Sequence, residues 1–175
     1  MSELANKSKE RIKQSPSLKA RALRLLSLRE YSRKGLAAKL AESEARWARL
    51  GGEQVDQIPQ ETHLQIEAVL DDFEARGWLS DERFAEALVR GRSARYGMRK
   101  IQGELERAGV DSQQSAKLLA GLKETEYQRA YALWTRKYGV QAHDQRERAR
   151  QYRFLASKGF SAEVVTKIIA GQTPD

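Results

Sequence analysis

Apolar residues return every three or four positions along almost the whole chain. Ile66, Val69, Leu70 and Phe73 stand at i, i+3, i+4 and i+7, and Tyr127, Ala130, Tyr131, Trp134 and Tyr138 carry that spacing one turn further. Met98, Ile101, Leu105 and Ala108 make a narrower stripe of the same kind. This period lays an apolar face along a helix, and the alternating Val/Ile/Thr stretches that mark strands are missing. Proline occurs only at 16, 59 and 174, so none interrupts a helix between 60 and 173. The pattern predicts an all-α fold with helices over about 18–31, 33–50, 62–76, 80–95, 98–108, 111–121, 124–138, 144–158 and 161–170.

Glycines punctuate these helices and reveal a repeat. Leu105-Glu106-Arg107-Ala108-Gly109-Val110-Asp111-Ser112 matches Leu155-Ala156-Ser157-Lys158-Gly159-Phe160-Ser161-Ala162 at an offset of 50. Each reads as a helix end, a glycine just past it, a hydrophobic residue and a capping Asp or Ser. Leu118-Leu119-Ala120-Gly121 matches Ile168-Ile169-Ala170-Gly171 at the same offset, and Val69-Leu70 holds the equivalent place in an earlier copy. A Tyr followed by a small residue recurs as Tyr31-Ser32, Tyr96-Gly97 and Tyr138-Gly139. Three tandem three-helix repeats follow, at 18–76, 80–121 and 124–171, behind a flexible basic tail over 1–17. From the tyrosine to the third-helix landmark the second copy spans 23 residues, the first 39 and the third 31. The first copy therefore carries sixteen extra residues, expected at about 43–61 around Gly51-Gly52 and Pro59, and the third eight, expected around Val140 to Asp144. Each repeat is too short to bury much surface alone, so neighbours must support one another in an elongated, curved array.

Charge changes the picture from a fold to a partner. The 175 residues carry 32 Lys and Arg against 24 Asp and Glu, a net charge of +8 that points to an anionic partner. Residues 1–34 hold +7, 88–103 hold +5 and 129–153 hold +5, whereas 42–82 hold −8. A single basic run reads equally as a solvated helix face. Three runs near equivalent junctions, brought into line by an array, make one track suited to phosphates. The candidate binding residues are Arg29, Tyr31, Arg33 and Lys34 in the first run, Arg90, Arg92, Arg95, Tyr96, Arg99 and Lys100 in the second, and Arg146, Arg148 and Arg150 in the third. The tyrosines either pack the helix junctions or offer stacking platforms for bases. Trp47, Trp78 and Trp134 are expected in the core. The acidic stretch is either ordinary helix surface or the counterpart of a basic protein.

Little chemistry accompanies the charge. Zero Cys excludes a disulfide scaffold, thiolate zinc sites and thiol catalysis, and fits a reducing cytoplasm. No apolar run is long enough to span a membrane, and the polar N-terminus does not read as a secretory signal. His63 and His143 lie far apart and outside any metal-ligand spacing. Asp71-Asp72, with Glu67 and Glu74 nearby, reads as solvated charge ahead of a weak Mg²⁺ site. Gly97 to Gly103 superficially resembles a phosphate loop but lacks the Gly-Lys-Ser/Thr ending and a preceding strand, and no nucleophile elbow exists. No catalytic constellation emerges, and neither cofactor nor metal is expected.

Several stretches together resemble the bacterial RecX regulatory family. They are Arg29-Glu30-Tyr31-Ser32-Arg33-Lys34-Gly35-Leu36, Ile66-Glu67-Ala68-Val69-Leu70-Asp71-Asp72-Phe73 and Gly77-Trp78-Leu79-Ser80-Asp81-Glu82-Arg83-Phe84-Ala85. Arg95-Tyr96-Gly97, Ile101 and Leu105-Glu106-Arg107-Ala108-Gly109-Val110 continue the pattern, which covers about residues 18–171. The resemblance implies three tandem three-helix repeats that bind the groove of RecA–DNA filaments. It further implies inhibition of RecA ATP hydrolysis, strand exchange and co-protease activity, and so a place in homologous recombination, DNA repair and the SOS response. Weak, sequence-tolerant binding of single- and double-stranded DNA by a monomer is expected alongside. In the first copy the family's short Gly turn before the third helix is replaced by the longer segment through Gly51-Gly52 and Pro59. The competing reading is an autonomous helix-turn-helix DNA-binding regulator, which would bind tightly and sequence-specifically without RecA.

Overall fold

Four helices start where the N-cap residue supplies a side-chain oxygen for their free amides. Ser17 Oγ accepts from the Ala20 amide at 3.2 Å, Asp111 Oδ1 from Gln113 at 2.8 Å, Asp144 Oδ1 from Glu147 at 2.7 Å and Ser161 Oγ from Val164 at 3.4 Å. Several helices end where glycine takes a left-handed turn: Gly109 and Gly159, the pair matched in the repeat, have φ of 79° and 87°. A computed structural model describes residues 16–50 and 58–174, and among these there are nine helices and no strand. They are α1 (Leu18–Leu26), α2 (Arg33–Leu50), α3 (Gln60–Ala75), α4 (Asp81–Arg92), α5 (Met98–Arg107), α6 (Ser112–Glu124), α7 (Glu126–Lys137), α8 (Gln145–Ser157) and α9 (Ala162–Ile169). The basic stretch before Pro16 and the Gly51–Gln57 segment lie outside the described residues.

Three boundaries differ from the expectation. α1 stops at Leu26 and not near 31; the chain turns from the capping Ser27, whose Oγ donates to the Arg24 carbonyl at 2.8 Å. That turn delivers Tyr31 and Ser32 to the core, where Ser32 Oγ accepts from the Gly35 amide and opens α2. α4 likewise stops at Arg92, leaving Ser93 to Gly97 as the connection to α5. α6 runs on through Gly121 to Glu124, whereas the matched Gly171 does terminate α9 with φ of 87°. The difference is the next residue: Leu122 is buried in the core, while Gln172 has nothing apolar to bury. The extra residues fall partly inside helices. α2 is 18 residues long and α8 13, against 10 in α5.

The chain divides into two compact units, residues 1–81 and 82–175. In the first, α1, α2 and α3 enclose Ala22, Tyr31, Leu36, Leu40, Ile66, Val69, Leu70, Phe73 and Leu79. Trp47 is half-buried beside α1, and Trp78 is 45% exposed, which corrects its assignment to the core. Trp78 follows Gly77 in the turn after α3, where its ring meets the edge of Phe73 and carries Arg76 on it.

The second unit contains two cores. Ala85, Ile101, Leu105, Val110 and Leu122 form one, and Ala130, Leu133, Trp134, Leu155, Phe160, Val165, Ile168 and Ile169 the other. Trp134 is buried as expected, its Nε1 donating to Gln151 Oε1 at 2.8 Å. Two polar residues of α7 tie the cores together. Gly97 has no side chain with which to cap α5, and the buried Glu126 does so instead, accepting from the Met98 amide at 2.9 Å. Arg129 donates to the carbonyls of Ser93, Tyr96 and Leu122 at 2.7–2.8 Å, and so holds the ends of α4 and α6. Carboxylate at a helix start and guanidinium at helix ends both match the macrodipole. Burial lowers the Arg129 pKa, and Glu126 beside it pulls the other way.

Candidate nucleic-acid interface

Lysines and aromatic rings alternate across the second unit. Lys100 Nζ sits 4.6 Å and Lys158 Nζ 5.5 Å from the centre of the Tyr96 ring, with the Arg92 guanidinium at 5.7 Å. Lys158 also lies 5.5 Å from the Phe154 ring, and Lys137 lies 5.0 Å from Phe154 and 5.7 Å from Tyr138. Tyr138 and Phe154 meet edge to face at 5.6 Å. The rings hold flexible ammoniums in place through their negative faces. Three helices contribute to this ladder: α5 brings Lys100, α7 leads into Tyr138, and α8 carries Phe154 and ends at Lys158.

Beside the ladder is an open cavity of about 360 Å³, lined by Arg95, Leu133, Arg136, Lys137, Phe154 and Lys158. Among the described residues no carboxylate lines it and none of its four cations makes an ion pair, so their charge is available to an outside anion. Among the described residues Arg92 alone in the ladder has a carboxylate partner, Glu104 at 3.2 Å.

The structure sorts the expected binding residues into different roles. Arg95, Tyr96 and Lys100 belong to the cluster, with Arg92 at its edge; Arg90 and Arg99 are exposed on α4 and α5. Arg146, Arg148 and Arg150 lie on the first half of α8, and Arg148 lines a separate cavity between α8 and α9 with Arg153, Tyr152 and Ile169. In the first unit Tyr31 is buried with Arg29 stacked 4.4 Å from its ring centre, and Lys34 is exposed. The burial agrees with junction packing and leaves Tyr31 no open face for a base.

Arg33 requires a correction. Its guanidinium is gripped by Glu67 at 2.5 Å, Asp71 at 2.7 Å and Glu74 at 2.6 Å, three acids spaced i, i+4, i+7 on one face of α3. Partial burial acts to lower its pKa, but the three carboxylates outweigh it and raise the value. Its amide also caps α2 by donating to Asp81 Oδ1 at 2.7 Å. Arg33 is therefore committed to the fold and does not offer free charge to a phosphate. The same contacts account for part of the acidic stretch: Asp72 is taken by Lys19 at 3.0 Å and Arg76 at 2.8 Å. Among the described residues no group of acids or histidines could hold a metal ion, and no helix is long and apolar enough to cross a membrane.

Arg136, Lys137, Phe154 and Lys158 were not among the expected residues. Arg136 and Lys137 lie in the third basic run directly before the Tyr138 landmark, which was the signal for them. Lys158 stands one residue before the repeated glycine, a position that reads as a helix end and not as a binding residue.

Residues 80–119 match the family model for the second three-helix domain of RecX, and residues 124–169 the model for its third. A regulatory protein RecX of Leptothrix cholodnii is 42% identical over 153 residues, covering 87% of each chain. The chain belongs to the RecX family. A second RecX, from Herminiimonas arsenicoxydans, is 44% identical over 149 residues, 85% of this chain and 88% of its own. The crystal structure of RecX from Lactobacillus salivarius shares the fold at a TM-score of 0.63 and 18% identity, over 98% of this chain and 97% of that one. RecX proteins are regulators and not enzymes, and tandem three-helix units are their architecture. The candidate interface lies where the second and third RecX domains meet.

Proposed function

We propose that this RecX-family chain binds the RecA–DNA filament and negatively modulates RecA ATP hydrolysis, strand exchange and co-protease activity. It thereby acts in homologous recombination, DNA repair and the SOS response, as a cytoplasmic monomer that touches DNA weakly and without sequence preference. The observation that supports the DNA side of this reading is the cluster of unpaired cations around Tyr96, Phe154 and Tyr138. Charge of this kind neutralises phosphates and reads no bases. A regulator that binds one filament state better than another shifts the population toward it by mass action. Bracing neighbouring protomers while lying along the DNA would oppose the conformational cycle that hydrolysis needs, and occupying the groove would exclude incoming duplex.

Strand exchange by RecA between circular single-stranded and linear duplex DNA tests the proposal. Adding this protein to preformed filaments should stop product formation, and sedimentation should find it with RecA–DNA and much less with DNA alone. Tight, sequence-selective binding to naked duplex, with exchange unaffected, would establish the helix-turn-helix regulator instead.

A further inference from the structure

We propose that the cavity bounded by Arg95, Arg136, Lys137 and Lys158 is a phosphate site that exists only while the second and third three-helix groups are docked through Gly97. This rests on the proposed function only in taking nucleic acid as the expected donor of the phosphate. Arg95 reaches the cavity from the connection between α4 and α5, whereas Arg136 and Lys137 come from α7 and Lys158 from the end of α8. Neither group of helices supplies the whole set. What fixes their register is backbone against backbone. The Gly97 amide donates to the Lys158 carbonyl at 3.0 Å, and a Cβ on Gly97 would stand 2.3 Å from the Gly159 carbonyl oxygen and the Phe160 nitrogen. Gly159, at φ 87°, in turn leaves no room for a Cβ against Lys100. Arg129 holds the same connection through the Ser93 and Tyr96 carbonyls. Lys158 thus joins both functions, its carbonyl to Gly97 and its ammonium to the cluster.

The ligand class follows from the lining. Four cations face one space with no acid among the described lining residues, so they repel one another and an anion offsets that repulsion. Guanidinium forks and ammonium groups suit the oxygens of a phosphate. Leu133 and Phe154 form apolar walls that strengthen the field. A volume of about 360 Å³ is larger than one phosphate and accommodates a phosphodiester with its sugar. Two sources offer that group, a nucleic-acid strand and a free polyphosphate.

Titration of ¹⁵N-labelled full-length protein with pyrophosphate, and separately with a twelve-residue oligothymidylate, tests the site by NMR. Pyrophosphate should shift the amides of Arg95, Lys137 and Lys158, and Lys137→Ala with Lys158→Ala should weaken it about tenfold. Gly97→Ala, which removes no charge, should weaken it at least as much while the helical circular dichroism persists. Should Gly97→Ala unfold, Arg129→Gln, which lies outside the cavity lining, must produce the same loss. Displacement of pyrophosphate by the oligothymidylate assigns the site to a strand; binding without competition assigns it to free polyphosphate. Shifts scattered over the basic surface, or wild-type affinity in a folded Gly97→Ala protein, would overturn the proposal. RecA is absent from these titrations, so their failure leaves filament regulation standing, and failure of strand-exchange inhibition leaves the phosphate site standing.

Discussion

The amide of Gly97 is bonded to the carbonyl of Lys158 at 3.0 Å, which fastens the residue before α5 to the residue after α8. With φ of −76° Gly97 needs no special backbone freedom, so what excludes a side chain there is lack of space. Gly97→Ala should destabilise the protein by about 2 kcal/mol through overpacking. A urea melt that superimposes on the wild-type curve would show that the two groups of helices part at little cost.

Arg129 and Glu126 make a second prediction about the same junction. Arg129→Lys keeps the charge but cannot reach three carbonyls with one fork, and should cost about 2 kcal/mol. Glu126→Ala removes the cap of α5 and should cost about 1 kcal/mol. Hydrogen exchange should quicken first in the opening turn of α5, and protection there equal to wild type would contradict the capping role.

Periodicity and capping residues are enough for the existence of the helices, because both are local, but not for where α1, α4 and α6 end. Gly109 and Gly159 marked their helix ends, while Gly121 misled, since the burial of Leu122 decides its fate. The basic runs mark where cations gather along the chain, but runs are one-dimensional. Nothing local distinguishes Arg33, which meets three acids of α3 some forty residues away, from Lys137, which meets none. Lys158 joins the cluster only because a distant glycine admits its backbone.

The distinction between committed and available cations can be measured. Arg33→Ala should leave DNA affinity and its salt dependence unchanged and cost about 1 kcal/mol of stability, as exposed ion-pair networks do. Lys137→Ala with Lys158→Ala should do the reverse, reducing the slope of log K against log salt by about 1.8 on duplex DNA. A slope lowered by Arg33→Ala would return that residue to the interface.

Acid should weaken the first unit. Hydrogen bonds from Arg76 and Lys19 hold the Asp72 carboxyl below the usual carboxylate range. A depressed folded-state pKa contributes stability that is complete above the unfolded-state value and lost as pH falls through the folded one. The urea midpoint should therefore be flat near neutrality and decline in the acid range, and Asp72→Asn should make that decline shallower. An identical acid profile in Asp72→Asn would remove Asp72 from the explanation.

The most direct measurement is the rate of ATP hydrolysis by RecA on single-stranded DNA as this protein is added. Substoichiometric wild-type protein should slow hydrolysis, and so should Arg33→Ala. Arg136→Ala, Lys137→Ala and Lys158→Ala combined should need a markedly higher concentration for the same effect while remaining folded. If wild-type protein leaves hydrolysis unchanged, this chain does not regulate the filament. If the triple variant inhibits as well as wild type, the cation cluster is not what regulation uses.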